Sequence, residues 1–304
     1  MEIATTKKEA DIPAQPINRL SAKARWKGYL KHPTSLLERI LVDASAILTV
    51  LVLVSIIAFI LIKGIPNLTL DMFAWKYTSE NASMTPAILN TLIMTAVTLL
   101  LAVPVGVFAA IYMVEYASKG SKLVRVVSLT TETLSGIPSI VYGLFGYLFF
   151  SIALHFGLSM IGGALTLAIM VLPLIMRTTE EALKSVPDSY REGSFGLGAG
   201  RLRTVFQIVL PPAMPGILSG VILAIGRIVG ETAALIFVTG TEPAVATNLM
   251  KPGRTLAVHM YAMFSEGLYG DKPYAVAVVL LVVVIGINAL SGHFAKKLSG
   301  QAAQ

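Results

Sequence analysis

The sequence predicts an all-helical integral membrane protein with six transmembrane helices. Hydrophobic residues make up 55% of the chain and charged residues only 13%, whereas about a quarter of the residues in a soluble domain are charged. Six apolar runs are each long enough to cross the hydrocarbon core of a bilayer as a helix. Lysine and arginine are concentrated in alternate connecting segments. Together these observations favour a lipid environment over a large soluble core.

Each span is predicted from a run of about twenty mainly apolar residues. The first run begins too late and is too long for a signal-peptide core, so we expect a retained helix. The third run opens with a polar stretch, and Pro138 lacks the N–H that an unbroken helix needs, so we expect a broken helix there. In chain order, the predicted spans are Ile40–Ile62, Ile88–Tyr112, Val127–Leu154, Ser159–Met176, Ala213–Val238 and Tyr274–Phe294.

Basic residues lie mostly before the first span, in every second loop and after the last span. Eighteen fall on this side and five on the other, so the positive-inside rule predicts that both termini are cytoplasmic. The basic balance is then a topology signal, and nucleic-acid binding is not needed to explain it. The five on the opposite side are Lys63, Lys76, Lys251, Arg254 and Lys272.

The predicted domain organisation is one six-span domain, residues 40–294, between two cytoplasmic tails, residues 1–39 and 295–304. In residues 22–39 aromatic and apolar residues are interspersed with lysines. This composition suits a segment lying on the lipid surface, although an unstructured basic flank fits equally well.

The loop at residues 177–212 is the longest internal loop on the basic side. Ser185, Pro187 and Asp188 form a helix-start signal and predict a short helix over Val186–Leu197. Three closely spaced glycines then permit a sharp turn. A second short helix is expected over Arg201–Val209, ended by two consecutive prolines. Two small helices at an angle would make a cytoplasmic knob.

The spacing within this loop resembles the motif of binding-protein-dependent ABC permeases, which is Glu-Ala-Ala, three residues, Gly, nine residues and Ile-x-Leu-Pro. Both alanines are replaced here by small residues, which still allow close contact with an ATPase surface. The resemblance implies a type I ABC importer permease fold and an ATPase docking role for the motif. The alternative is an amphipathic loop resting on the membrane. The matching residues are Glu192, Gly193, Ser194, Gly198, Ile208, Leu210 and Pro211.

Four phrases extend the resemblance to the phosphate-importer permeases, the PstA and PstC pair, with the PstA-like member favoured. They are Gly106–Tyr116, Ser135–Phe145, Met176–Glu180 and Leu223–Ala234. The resemblance implies transport of inorganic phosphate across the inner membrane of a prokaryote. It also implies a homologous PstC-like permease, two PstB-like ATPase subunits and an external PstS-like phosphate-binding protein as partners, besides membrane lipid.

Several kinds of chemistry are not expected of this chain. Cysteine is absent, which removes disulfides and thiolate sites, and the four histidines lack metal-ligand spacing. No metal or cofactor is therefore expected. The glycine-rich loop ending in Lys-Ser/Thr that cradles nucleotide phosphates is also missing. Any ATP would be hydrolysed by a partner, so neither catalytic residues nor an enzyme activity is expected.

The strongest candidates for a substrate path are Arg227 and Glu231, two charges at depth in the fifth span. Charges there usually face a protein interior or water. A guanidinium matches the oxygens of an oxyanion, and Glu231 would orient it. The alternative is an internal ion pair that only locks helices together.

Hydroxyl groups near the predicted break of the third span form a second set of candidates. Freed backbone groups and the side chains of Thr131, Ser135 and Ser139 can line an aqueous path for an anion. The alternative is a proline-kinked packing helix whose hydroxyls bond to their own backbone. Two other functions stay open: an ABC permease for sulfate or molybdate, and an ion-coupled secondary transporter or channel that needs no ATPase.

Overall fold

The computed structural model describes residues 33–118 and 120–301. These residues belong to two units that meet at Ala58. In the first unit, residues 34–58 form a helix with exposed apolar side chains and an ion pair between Arg39 Nε and Asp43 Oδ2 at 2.8 Å. The second unit holds the remaining helices. Most of the basic tail, residues 1–32, and Lys119 lie outside the described residues.

The described residues form eleven α-helices and no strand. Three of the helices, α2, α4 and α7, continue directly into π-helical segments, Tyr112–Tyr116, Tyr147–Ala153 and Thr204–Val209. The helices are α1 (Pro33–Gly64), α2 (Thr85–Ile111), α3 (Lys122–Ser135), α4 (Ser139–Gly146), α5 (Met160–Lys184), α6 (Asp188–Gly196), α7 (Arg201–Arg203), α8 (Leu210–Gly230), α9 (Ala233–Val238), α10 (Leu256–Glu266) and α11 (Lys272–Gln301).

Among the described residues, five helical stretches are long and apolar enough to cross a membrane. A sixth span results if the bent pair α3 and α4 counts as one, because the two helices meet at an angle of 106°. The predicted break in the third span is therefore confirmed. Gly136 and Ile137 still bond to the last turn of α3, whereas Pro138 is extended and has no N–H to donate, so α4 starts in a new direction.

Helices α5 and α8 approach each other closely because two glycines of α8 face α5. A Cβ atom at Gly216 would lie 2.6 Å from Cβ of Ala182, and one at Gly220 would collide with Thr178. Two small residues four positions apart are typical of close helix contact, and this glycine pair provides one. The second pair, Gly226 and Gly230, meets almost nothing within 4 Å, so it is not a packing pair within the described residues.

Two predicted boundaries on the basic side are wrong. Helix α5 continues to Lys184, eight residues beyond the predicted end, so Ser185 lies at its C-terminus and donates to Ala182 O at 2.8 Å. The two prolines after Leu210 do not end a helix, since residues Arg201–Gly230 form one continuous helical stretch. Proline is tolerated there because it lies in the first turn of α8, where its missing N–H interrupts little, directly after a π-helical segment.

Two long loops, residues 68–84 and 240–271, pack together at the N-terminal ends of α2 and α5, and we call them the loop layer. Met72 and Met84 are fully buried in it. The side-chain amide of Asn90 donates to Ala244 O at 2.9 Å and Arg254 O at 3.2 Å, and its oxygen accepts from the N–H of Ala246 at 3.0 Å. The layer is therefore held by the chain's own hydrogen bonds.

A buried charge lies inside the loop layer. Cζ of Arg254 lies 4.7 Å from the ring centre of Tyr77, and Arg254 is only 3% exposed. His259 is fully buried beside it, with Nε2 3.3 Å from Ala82 O. Burial, together with the charge of Arg254, lowers the pKa of His259 to about 3. His259 is thus neutral at physiological pH.

Candidate functional site

A cleft of about 440 Å³ opens beside the C-terminal half of α5. The end of α2 contributes Met113, α5 contributes residues from Pro173 to Lys184, and α8 contributes Arg227. The polar residues that α3 contributes are Ser128, Thr131, Glu132 and Ser135. The structure therefore brings three of the five predicted path residues, Arg227, Thr131 and Ser135, to one cavity.

Arg227 is the basic residue of this cleft whose charge is not matched. On α5, Nε of Arg177 lies 3.1 Å from Glu181 Oε1, and Lys184 pairs with Glu180 in the same i, i+4 manner. Arg227 is half-buried near the C-terminal end of α8. Within residues 33–118 and 120–301 it makes no hydrogen bond or ion pair. A half-buried guanidinium without a partner is available to bind an anion.

The hydroxyl groups of the cleft are bonded to their own helix. Thr131 Oγ1 donates to Val127 O at 2.8 Å, and Ser135 Oγ donates to Glu132 O at 2.7 Å. Each hydroxyl has one proton, so in this arrangement it can accept a hydrogen bond but cannot donate one to an anion. Donation to an oxyanion requires each hydroxyl to rotate away from its carbonyl.

Glu231 does not lie in the fifth span as the sequence suggests. Helix α8 ends at Gly230, and Glu231 has an extended backbone with φ −72° and ψ 128°. Its carboxylate accepts the N–H of Ala234 at 3.0 Å, which satisfies a free donor at the start of α9. The helix-locking alternative is also wrong, because no ion pair joins Glu231 to Arg227 within the described part of the chain.

Ser139 is the other predicted path residue that the cleft does not include. It is the first residue of α4, beyond the bend, so the change of direction carries it away from the cavity. Sequence reasoning missed the acidic and basic face of α5, which carries Arg177, Glu180, Glu181 and Lys184. Their spacing by three and four residues is helical, but it becomes visible only once α5 is known to continue to Lys184.

The predicted knob is present as α6, α7 and the π-helical segment that ends at Val209, and we keep the name knob for residues 188–209. Ser194 is buried, and its Oγ lies 2.8 Å from Oγ1 of Thr204, which joins the two helical parts. Gly198 has a φ of +83°, a conformation that side chains rarely adopt. The turn between the helices therefore depends on a glycine at this position.

The surface of the knob is unusually apolar for a connecting loop. Leu197 is 91% exposed, and it borders a groove of about 520 Å³ between α6 and the π-helical segment. Of the motif residues, Glu192, Gly193 and Ile208 are exposed, whereas Leu210 and Pro211 are half-buried in the first turn of α8. Further large exposed side chains are Tyr190, Phe195, Leu202 and Phe206. Tyr190, Phe195 and Leu197 lie outside the spans, and an exposed apolar patch of this kind is typical of a protein-binding surface.

Residues 102–299, more than half of the chain, match the family described as the binding-protein-dependent transport system inner membrane component. The chain belongs to this family. The permease is 34% identical over 256 residues to the probable ABC transporter permease protein YqgI of Bacillus subtilis (strain 168), which covers 78% of this chain and 86% of that protein.

Two further relatives carry more specific names. The phosphate transport system permease protein PstA of Yersinia pestis is 34% identical over 242 residues, covering 77% of this chain and 81% of that protein. The phosphate transport system permease protein PstC of Mesorhizobium japonicum is 29% identical over 256 residues, covering 75% and 78%. The predicted resemblance to the PstA and PstC permeases is confirmed.

Solved structures agree on the fold of the permease. A bacterial alginate ABC transporter in complex with a periplasmic protein matches with a TM-score of 0.66 at 16% identity, over 90% of this chain and 98% of that chain. The MetNI methionine ABC transporter matches with a TM-score of 0.58 at 21% identity, over 71% and 94%. The all-helical type I ABC importer permease fold is confirmed, and the chain is a multi-pass membrane protein.

Proposed function

We propose that this permease carries inorganic phosphate across the inner membrane as one subunit of an ATP-driven importer. The observation that supports this most directly is the half-buried, unpaired guanidinium of Arg227 on the wall of the cleft. The names of the PstA relatives support the choice of phosphate. A passing phosphate would supply the ion-pair partner that Arg227 does not have among the residues that the structure describes.

The cleft suits an anion that must also leave again. Arg227 offers planar donors for the phosphate oxygens. Thr131 and Ser135 would add hydrogen bonds after rotating away from their helix. The charges that α5 contributes to the wall of the cleft are paired with each other, and Glu132 of α3 adds a negative charge, so the net attraction for an anion stays weak. One unpaired arginine attracts the anion without trapping it. Glu231 would support the site indirectly by fixing the turn after α8.

The orientation follows from the distribution of basic residues. Among the described basic residues, those on α3, on the end of α5 and on the knob belong to the basic side, and both tails would lie with them in the cytoplasm. The loop layer would then face the periplasm or the cell exterior. The domain organisation predicted above, with the six-span domain flanked by two tails, is retained as part of this proposal.

Partner subunits would supply ATP hydrolysis, the other wall of the path and delivery of the substrate. ATPase subunits would dock on the exposed apolar side chains of the knob. The motif residues Glu192, Gly193, Ser194 and Gly198 lie on or beside that surface. A homologous permease would form the other wall of the path, and an external binding protein would deliver phosphate to the loop layer. Closure of the ATPases would push the knobs and switch the direction in which the path opens.

Uptake of labelled phosphate tests the proposal. Cells that lack their own importer would express this chain with its neighbouring subunits, with and without excess sulfate. We expect saturable uptake that resists sulfate and is abolished by ATP depletion. Phosphate uptake that excess sulfate inhibits would indicate that another oxyanion is the substrate, and uptake that survives ATP depletion would favour an ion-coupled transporter.

Replacing Arg227 tests the site itself. Arg227→Gln should lower uptake about tenfold or more, because a hydrogen bond to a charged group is worth about 1.5–3 kcal/mol. Arg125→Gln is the matched control, since Arg125 is an exposed arginine of α3 outside the cleft. Assembly with the partners should be normal in both variants. Wild-type uptake by Arg227→Gln would make Arg227 a packing residue.

A further inference from the structure

Both helical parts of the knob contact the same short segment at the end of α2. Nη2 of Arg191, on α6, lies 2.7 Å from Glu115 Oε1, and its Nε lies 3.2 and 3.3 Å from the two carboxylate oxygens. Arg201, the first residue of α7, donates from Nη1 to Tyr116 O at 3.4 Å, with Cζ 5.7 Å from the centre of the tyrosine ring. Two arginines therefore hold two consecutive residues of α2's π-helical extension.

Arg191 also connects the knob to the end of α5. Its Nη1 donates to Val186 O at 2.7 Å, and its Nη2 donates to Leu183 O at 2.9 Å. The hydrogen bonds that Arg191 donates to Glu115 raise the pKa of Arg191 above its ordinary value, so the guanidinium stays charged. One side chain thus fixes the knob, the C-terminus of α5 and the end of α2 relative to one another.

The Glu115–Arg191 ion pair differs from the other ion pairs of the second unit. Its two side chains, Glu115 and Arg191, are 7% and 15% exposed, whereas those of Arg177 and Glu181 are 70% and 66% exposed. Exposed ion pairs contribute little to stability, because water screens their charges and their side chains remain free to move. A buried pair in which one carboxylate meets two guanidinium nitrogens holds a fixed geometry.

The segment held by the knob leads directly to the cleft. Met113 lines the cleft and lies two residues before Glu115. Earlier in α2, a Cβ at Gly106 would lie 2.8 Å from Cγ2 of Ile175, so α2 is packed tightly against α5. The π-helical segment Tyr112–Tyr116 lies between this packed region and the knob. π-Helical turns inside helices are frequent at functional sites.

We infer that the ion pair between Arg191 and Glu115 is the joint through which movement of the knob reaches the α2 wall of the cleft. Arg191 is a positioning residue, since it touches neither the cleft nor the docking groove. This role rests on the proposed function, in which ATPase subunits move the knob. Arg201 and Tyr116 form a second, weaker contact at the same joint.

The joint is tested by the ratio of phosphate transported to ATP hydrolysed. The complete importer would be reconstituted in lipid vesicles, and both rates would be expressed per assembled complex. Glu115→Gln should retain its ATPase subunits and hydrolyse ATP while transporting roughly tenfold less phosphate per ATP, which lies within the usual range of a coupling free energy. Arg191→Lys keeps the charge but loses the planar donors, so its phosphate transported per ATP should lie between that of Glu115→Gln and that of the wild type. Arg125→Gln should match the wild type.

A covalent link provides a second test if the substituted side chains weaken folding. The chain has no cysteine, so Glu115→Cys with Arg191→Cys gives one specific thiol pair. A short cross-linker with two thiol-reactive ends should raise the phosphate transported per ATP by this double variant towards the wild-type ratio. A reagent that blocks each thiol separately should not.

Two results would overturn the inference. One is a Glu115→Gln complex that transports as much phosphate per ATP as the wild type. A pair that is merely structural would reduce the number of assembled complexes but leave this ratio unchanged. The other is a double cysteine variant whose phosphate transported per ATP does not change when the cross-linker joins the two thiols. Failure of the wild-type complex to transport phosphate, or to bind an ATPase at all, would instead contradict the proposed function.

Discussion

The two ends of the second unit carry connecting segments that differ in how they bury their large side chains. In the loop layer, large side chains such as Met72, Leu256 and His259 are fully buried. In the knob, Leu197 is 91% exposed and Leu202 is 67% exposed. The loop layer and Leu197 lie outside the candidate spans, so lipid does not explain why one is buried and the other exposed, whereas Leu202 belongs to the helical stretch Arg201–Gly230. The loop layer encloses a core of large side chains, although Leu70, Trp75 and Leu268 are exposed on its surface. The exposed apolar side chains of the knob, such as Leu197, instead border a groove that another protein can cover.

Hydrogen bonding follows the same division. Asn90 bonds to residues more than 150 positions away, which ties the loop layer to α2. Within the knob, the hydroxyl groups of Ser194 and Thr204 join the two helical parts over ten positions, and the groove side is open. Substitutions in the loop layer should therefore reduce stability, and substitutions on the knob surface should reduce binding of a partner.

The largest effect is expected from Asn90→Leu, which removes the three hydrogen bonds of the Asn90 side chain and keeps the number of side-chain heavy atoms. One N–H and two carbonyl groups lose their partner in a buried region, so the free energy of unfolding should fall by about 3–5 kcal/mol. Thermal unfolding of the purified permease in detergent measures this. Leu197→Ser is the matched comparison and should change stability by less than about 0.5 kcal/mol. Equal losses in the two variants would remove the distinction between the regions.

The second effect is a pH dependence confined to the loop layer. The pKa of His259 is about 3 in the folded protein, against an ordinary value of 6.5. As the pH falls below 6.5 the unfolded chain takes up a proton that the folded layer does not, so stability falls by up to about 1.4 kcal/mol per pH unit.

This pH dependence is measured by comparing thermal unfolding at about pH 7.5 and about pH 5. His259→Gln does not titrate, so its loss on acidification should be smaller than that of the wild type by up to about 2 kcal/mol. Carboxylates elsewhere act on both proteins alike and cancel in this difference. Identical pH profiles would mean that His259 already takes up a proton in the folded layer.

The third and smallest effect concerns the knob turn. Gly198 has a φ of +83°, and nothing lies within 4 Å of where a Cβ would be, so Gly198→Val acts through backbone strain of about 1–2 kcal/mol. The altered angle between the knob helices should lower the amount of ATPase that co-purifies by about tenfold, since about 1.4 kcal/mol corresponds to that factor. Gly200→Val is the control, because Gly200 has an ordinary φ of −73°. Full ATPase retention by Gly198→Val would show that the turn does not set the docking surface.

Much of the fold could be predicted from the sequence because lipid imposes long apolar runs. The break near Pro138 was predictable for the same kind of local reason, since proline removes a donor. The Gly216 and Gly220 contact was predictable from spacing. These features depend on residues close together in the chain.

Other features depend on context that local patterns do not contain. The prolines after Leu210 look like a helix end, but a preceding π-helical segment lets the helix continue. Glu231 looks like a continuation of α8, but its carboxylate caps α9 instead. The contact between Glu115 and Arg191 joins residues 76 positions apart, and no sequence period connects them. Sequence reasoning therefore found Arg227 and the knob motif but not the joint between the knob and α2.

The most direct test of the account compares two leucines of nearly equal exposure at the two ends of the second unit. Leu197 in the knob is 91% exposed and Leu70 in the loop layer is 90% exposed. Because the chain has no cysteine, Leu197→Cys and Leu70→Cys can each be labelled specifically with a water-soluble thiol reagent, with and without the ATPase subunits. If the ATPase docks on the knob, it should slow labelling at position 197 by about tenfold or more and leave labelling at position 70 unchanged. Equal labelling rates at position 197 with and without the ATPase would contradict docking on the knob.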